Sequence, residues 1–213
     1  MQIPDFLIPK ELGSFLQGIG AVLVPFIGWQ ALSTWQSQLR AQKQIEFLDA
    51  LSDALHDLII KLQDPIQVLS FAKIGIESYR SLPTFCVGID HADAIQFIEA
   101  KGPEYAKRLW EMIGPAKPVV ARVQTLANKG QVLGFKNYEN CFSACTMLVW
   151  SYNQLDSFAA LIADKSLNWA HPEVQKMLGN LEKIDVETIQ KNLSEQNIAL
   201  IEFCKTAYEK ALS

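Results

Sequence analysis

Positive charge is not in surplus. Lys and Arg total 19 against 23 Asp and Glu, a formal net charge of −4 over 213 residues. A general nucleic-acid binder needs a basic surface that displaces counterions from phosphates, and nothing here supplies a strong nucleic-acid signal. Cysteine is scarce: four residues, at 86, 141, 145 and 204, are too few and too scattered for a secreted disulfide scaffold. Glycine-rich phosphate loops are missing, with neither G-x-x-x-x-G-K-[ST] nor G-x-G-x-x-G present. No G-x-S-x-G elbow marks a hydrolase nucleophile. These absences leave no catalytic residue and no cofactor to name. Low complexity is excluded as well, since 20% of residues are charged and 10% aromatic.

The largest absence is local. Between Glu11 and Arg40 run 28 residues with no Asp, Glu, Lys, Arg or His. At about 1.5 Å per residue, about 20 of them cross a ~30 Å hydrocarbon layer as a helix. The mixed charges of Asp5, Lys10 and Glu11 do not suit the basic start of a cleaved signal. On a helical wheel Leu12, Phe15, Leu16, Ile19, Val22, Leu23, Phe26 and Ile27 share one broad side. Ser14, Gly18, Ala21, Pro25 and Gly28 line the other, with Gln17 beside them. Small residues at this spacing let membrane helices approach closely, and an amide can bond across the contact. Trp29 and Trp35 suit an interfacial belt at the far end. Arg40 and Lys43 follow the run, so the positive-inside bias puts the bulk of the chain in the cytoplasm.

Beyond Arg40 the pattern is helical. Ala41, Ile45, Leu48, Ser52, Leu55, Ile59 and Leu62 repeat at 4 and 3, a stripe wide enough for self-association and for packing in a bundle. The spacing predicts one helix as far as Pro65 and a second over 66–82. Asp90 is placed to cap a helix ending at Gly102, Pro103 to open one ending near Gly114, and Pro118 one ending near Gly130. Residues 137–164 read as a long apolar helix. A short helix opens at Pro172, after His171, and Asp185 caps a terminal one. Asp156 is the only charge from Asn140 to Ala163, so this segment is a second span or a core helix; Asn153, Gln154 and Asp156 near its middle favour the core. No run alternates as a strand does, and no Asn-Gly hairpin occurs.

Candidate chemistry is thin. Cys86, His91 and Asp93 lie near one another without an established zinc spacing. Cys141 and Cys145, one turn apart on an apolar helix, suit core packing. His56, between Asp53 and Asp57, reads as a surface histidine. A helical ribonuclease of the HEPN kind needs an Arg followed by a His about four to six residues later, and Arg40, Arg80, Arg108 and Arg122 all lack it. Lys101, Lys107, Arg108, Lys117, Arg122 and Lys129 make the middle locally basic, diluted by Glu99, Glu104 and Glu111.

The opening FLQGIGAVLVPFIGWQALSTWQSQLRAQKQIEFLDAL leads from an apolar run through a Trp/Gln-rich exit into an amphipathic helix. It resembles uncharacterised bacterial inner-membrane proteins with one N-terminal span and a helical cytoplasmic domain. That resemblance implies an inner-membrane location and carries no catalytic residue across. The expected organisation is a tail over 1–11, a transmembrane helix and membrane exit over 12–39, and an all-α cytoplasmic domain over 40–213. The expected function is a membrane-anchored, non-enzymatic protein. It self-associates through Ser14, Gln17, Gly18, Ala21, Pro25, Gly28, Ile45, Leu48, Leu55, Ile59 and Leu62. Its partners are the lipid bilayer, further copies of itself, and a protein or ligand of unknown identity held by the bundle. One alternative is an oligomeric pore acting in antiviral defence. The other is a soluble helical enzyme or regulator with the first helix buried.

Overall fold

The computed structural model describes the backbone of residues 10–80 and 91–212, and the side chains of 28–80 and 91–211. Among the described residues the chain is all-α, with no strand. The helices are α1 (Lys10–Tyr79), α2 (Ala92–Ile113), α3 (Lys117–Gly130), α4 (Tyr138–Ala163), α5 (Pro172–Lys183) and α6 (Val186–Leu212). A 3-10 turn over Gly114–Ala116 joins α2 to α3.

One core holds these helices together. The lower part of α1 and α4 form two sides of it, and α2, α3 and α6 each pack against both. From α1 come Leu48, Leu51, Leu55, Leu58, Leu62 and Leu69, all buried. From α4 come Leu148, Leu155, Phe158 and Ile162. The apolar segment over 140–163 is thus the buried spine of the bundle. Its single carboxylate, Asp156, lies exposed and accepts a hydrogen bond from Trp110 Nε1 of α2 at 3.1 Å. Among the described residues, no helix is long and apolar enough to cross a membrane. Of the apolar heart of the uncharged run, Leu12 to Trp35, the side chains of 12–27 lie outside what is described.

Two expected boundaries are corrected. Helix α1 runs through Pro65 without a break, whereas the residue pattern predicts a stop there. A mid-helix proline costs about 3 kcal/mol through its missing N–H and its clash with the preceding turn. Leu58 and Leu62 before it and Ile66 and Leu69 after it are all buried, each contributing about 1.5–3 kcal/mol. Packing therefore outweighs the break. In the same way α2 continues across Gly102 and Pro103 instead of dividing there. At Gly102 the reason is contact with α4: a Cβ would meet the carbonyl oxygen of Ile162 and Ile98 Cγ2. Asp185 does cap α6, accepting from the backbone N–H of Thr188 at 2.8 Å and its hydroxyl at 2.7 Å. His171 Nδ1 accepts the N–H of Glu173 at 3.2 Å, capping α5 ahead of Pro172. The expected cap at Asp90 lies outside the described residues.

Gly102→Ala should destabilise the bundle by about 1–3 kcal/mol despite alanine's higher helix propensity, because overpacking against the α4 backbone dominates. Gly114, where a Cβ meets nothing within 4 Å, is the control. Gly114→Ala should be neutral or stabilise by up to about 1 kcal/mol. Urea unfolding followed by circular dichroism reads both.

Candidate functional site

Helix α1 leaves the bundle. Every residue from Gly28 to Arg40 is exposed, on all faces of the helix. Trp29 is 73% exposed and Trp35 58%, and Leu32 and Leu39 are exposed with them. A Cβ placed on Gly28 would meet nothing within 4 Å. Covering a large apolar side chain contributes about 1.5–3 kcal/mol, and here four in three turns are left uncovered. The four fall within about 120° of one another, one apolar stripe that no helix among the described residues covers.

The helix enters the bundle through a collar of four rings. Phe47 of α1, Phe135 of the α3–α4 connection, Tyr138 of α4 and Phe203 of α6 lie with centroids 5.3–6.2 Å apart. Tyr138 is locked from behind. Its hydroxyl donates to the carbonyl of Ala127 at 2.8 Å and occupies the space left by the missing side chain of Gly130. Burial pushes its phenol well above the ordinary value. Gln44 of α1 donates through Nε2 to the carbonyl of Leu133 at 2.9 Å, fixing the connection to the helix. Tyr208 of α6 donates to Asp49 of α1. Its phenol is pushed up to about 12, by burial first and then by the Asp49 carboxylate.

Above the rings, a cavity of about 340 Å³ opens between α1, the α3–α4 connection and α6. Phe135, Phe203, Ala199 and Ala207 supply apolar wall; Gln44, Asn137, Asn140 and Thr206 supply polar atoms; Lys136, Lys210 and Glu202 supply charge. Val132, in the same connection, is 82% exposed.

The residues marked out by the sequence separate into three groups. Gly28 stands on the projecting helix, whereas the side chains of Ser14, Gln17, Ala21 and Pro25 and the burial of Gly18 lie outside what is described, all five on the backbone of α1. Leu48, Leu55 and Leu62 are buried in the chain's own core, and Ile45 and Ile59 are half-buried beside it. This corrects the expected interface at Leu48, Leu55 and Leu62, which α1's own neighbours cover, while Ile45 and Ile59 keep part of their surface. The candidate chemistry disperses. His91 Nδ1 lies 2.6 Å from Glu182 Oε1, and Asp93 accepts from Arg80 Nε at 3.2 Å, while Cys86 lies outside the described residues. Among the described residues, no group of three metal-binding side chains comes together. Cys141, Cys145 and Cys204 are buried. The Cys145 thiol beside Cys141, and burial, push the Cys141 thiol up; burial also raises Cys204. Protonated thiols in such surroundings are poor nucleophiles. His56 is exposed, as are Lys101, Lys107, Arg108, Lys117, Arg122 and Lys129. Lys101 and Lys107 lie against Glu104 and Glu111 on their own helix, so the basic stretch is a mixed surface.

The collar itself is not marked out by the sequence. Phe47, Phe135 and Phe203 belong to separate segments, and only packing brings them together. Compared with known proteins, the chain matches no family model, no curated protein and no solved structure.

The raised Tyr208 phenol has a pH consequence with a definite sign. The neutral phenol is favoured in the folded state, so its contribution is complete below the ordinary value near 10 and is lost as pH rises toward about 12. Alkaline unfolding should show a fall in stability across that window, and Tyr208→Phe should remove part of the fall while leaving the neutral-pH helix content unchanged. Circular dichroism against pH measures both.

Proposed function

We propose that this is a membrane-anchored, self-associating helical protein that holds its bundle at a bacterial inner membrane and offers it to a protein or ligand. One observation carries the reading: from Gly28 to Arg40 the helix is exposed with Trp29, Leu32, Trp35 and Leu39 uncovered, and residues 28–39 are the closing part of an uncharged run of 28 residues. A bilayer supplies the missing cover, with Trp29 and Trp35 toward its interfacial belt and Arg40 and Lys43 just beyond. This arrangement makes the chain single-pass with its bulk in the cytoplasm. Self-association is supported by the small-residue stripe through Gly18 and by Gly28, whose missing side chain nothing in this chain requires. With Leu48, Leu55 and Leu62 buried in the chain's own core, the reading puts that association on the part of α1 above the collar.

Membrane fractionation tests the anchor. The full chain should stay in the pellet after alkaline carbonate, and a monodisperse protein obtained without detergent would sink the reading. Blue native electrophoresis in mild detergent tests the assembly, where the native chain should migrate as an oligomer and Gly18→Leu should shift it to monomer. Leakage of trapped dye from reconstituted vesicles, lost in the same variant, would extend the reading to an oligomeric pore.

A further inference from the structure

We infer that the cavity above the ring collar seats the headgroup of an anionic glycerophospholipid from the adjoining leaflet. The inference rests on the membrane reading above and identifies a ligand for its bundle.

Position comes first. Gln44, on the cavity wall, is nine residues beyond Trp35 and four beyond Arg40, or about 13 and 6 Å along the helix. The polar layer of a bilayer adds about 5–8 Å to each side of its hydrocarbon. With Trp35 at the hydrocarbon edge, headgroups reach the level of Arg40, and Gln44 lies about 6 Å further out, so a lipid seated in the cavity is raised from its leaflet by about that distance. Val132, 82% exposed on the connection that walls the cavity, is an apolar side chain at that same end of the bundle.

Chemistry comes second. Lys136 and Lys210 border the cavity, and Arg40 and Lys43 lie on the adjoining turn of α1, which favours a phosphate. Glu202 is the opposing charge. An ionised carboxylate only accepts hydrogen bonds, so a ligand seated beside it has to bring donors. A glycerol headgroup brings hydroxyls with its phosphate, and Asn140 can meet them with donor or acceptor. Phe135 and Phe203 give the glycerol carbons an apolar wall. The volume, about 340 Å³, sits at the small end of the roughly 300–1,000 Å³ of small-molecule pockets, enough for a headgroup and too small for a whole lipid. Phosphatidylglycerol combines all these features. Phosphatidylcholine has the phosphate without the hydroxyls and places a fixed cation beside two lysines.

The test uses the full chain in a neutral detergent, with its thermal midpoint followed as short-chain phosphatidylglycerol, short-chain phosphatidylcholine or glycerol 3-phosphate is added. Phosphatidylglycerol should raise the midpoint in a saturable way, and the other two should not. Lys136→Glu, on an exposed residue, should leave the lipid-free midpoint in place and raise the half-saturating concentration about tenfold, the loss of one charge-assisted contact. Lys165→Glu, exposed beyond the far end of α4, should respond as the native chain does. An equal response to phosphatidylcholine overturns the inference, as does a native-like response of Lys136→Glu or an equal loss in Lys165→Glu. A full response to glycerol 3-phosphate assigns the cavity to a soluble phosphate and also overturns it. Carbonate extraction of the same variants reads the anchor separately: Lys136→Glu should remain in the pellet, so losing the headgroup and losing the membrane are distinct results.

Discussion

From Phe47 to Ile76 the long helix α1 buries one side of itself, Leu48, Leu55, Leu62 and Leu69 among it, against helices of its own chain, and from Gly28 to Arg40 it is covered by nothing among the described residues. Both stretches belong to one unbroken helix, so neither can turn away without the other. The lower stretch is narrow in its choice of neighbours, because Leu48, Leu55 and Leu62 sit on one side and Asp49, Asp53 and His56 on the other. The upper stretch has a stripe too, with Trp29, Leu32, Trp35 and Leu39 within about 120° of one another, but no described helix covers it. That change along a single rod sets what the rest of the molecule has to do: hold the rod firmly at one level and leave it bare above.

The ring collar is the device that holds it. Four aromatic side chains from four separate segments converge at Phe47, where the helix first becomes buried. Around them Gln44 pins the α3–α4 connection and Tyr208 ties the end of α6 to Asp49. Each contact joins α1 to an element far away in sequence, and the cavity lies among these same elements. A displacement of α1 along its axis would disturb the wall of the cavity, and a ligand in the cavity would favour one level of the helix. The thiols below, on α4 and α6, serve as packing surface in this scheme.

Much of the fold was legible in the residues. The all-α class, the apolar helix over 137–164, the cap at Asp185 and the start at Pro172 follow from local rules, and α4, α5 and α6 obey them. The misreadings share a cause. Pro65 and the Gly102–Pro103 pair are local stop signals, and both were overridden by buried leucines and by a close approach to Ile162. Of the candidate site, the exposed exit helix was legible because an uncharged run needs no tertiary knowledge to be noticed. The heptad stripe was legible as apolar but not as to what covers it. Leu48 and Leu62 look alike whether they meet α2 or a second copy.

By itself the sequence determined which stretches are helical and which stretch carries no charge, since backbone propensity and transfer preference are properties of each residue and its near neighbours. Only the tertiary structure decided that α1 passes through its proline, that its lower stripe is taken up internally, and that Phe47, Phe135, Tyr138 and Phe203 form a collar with a cavity above it. Those outcomes depend on distances between residues as far apart as 47 and 203, and the free energy of such contacts appears only when the packed helices remove both partners from water.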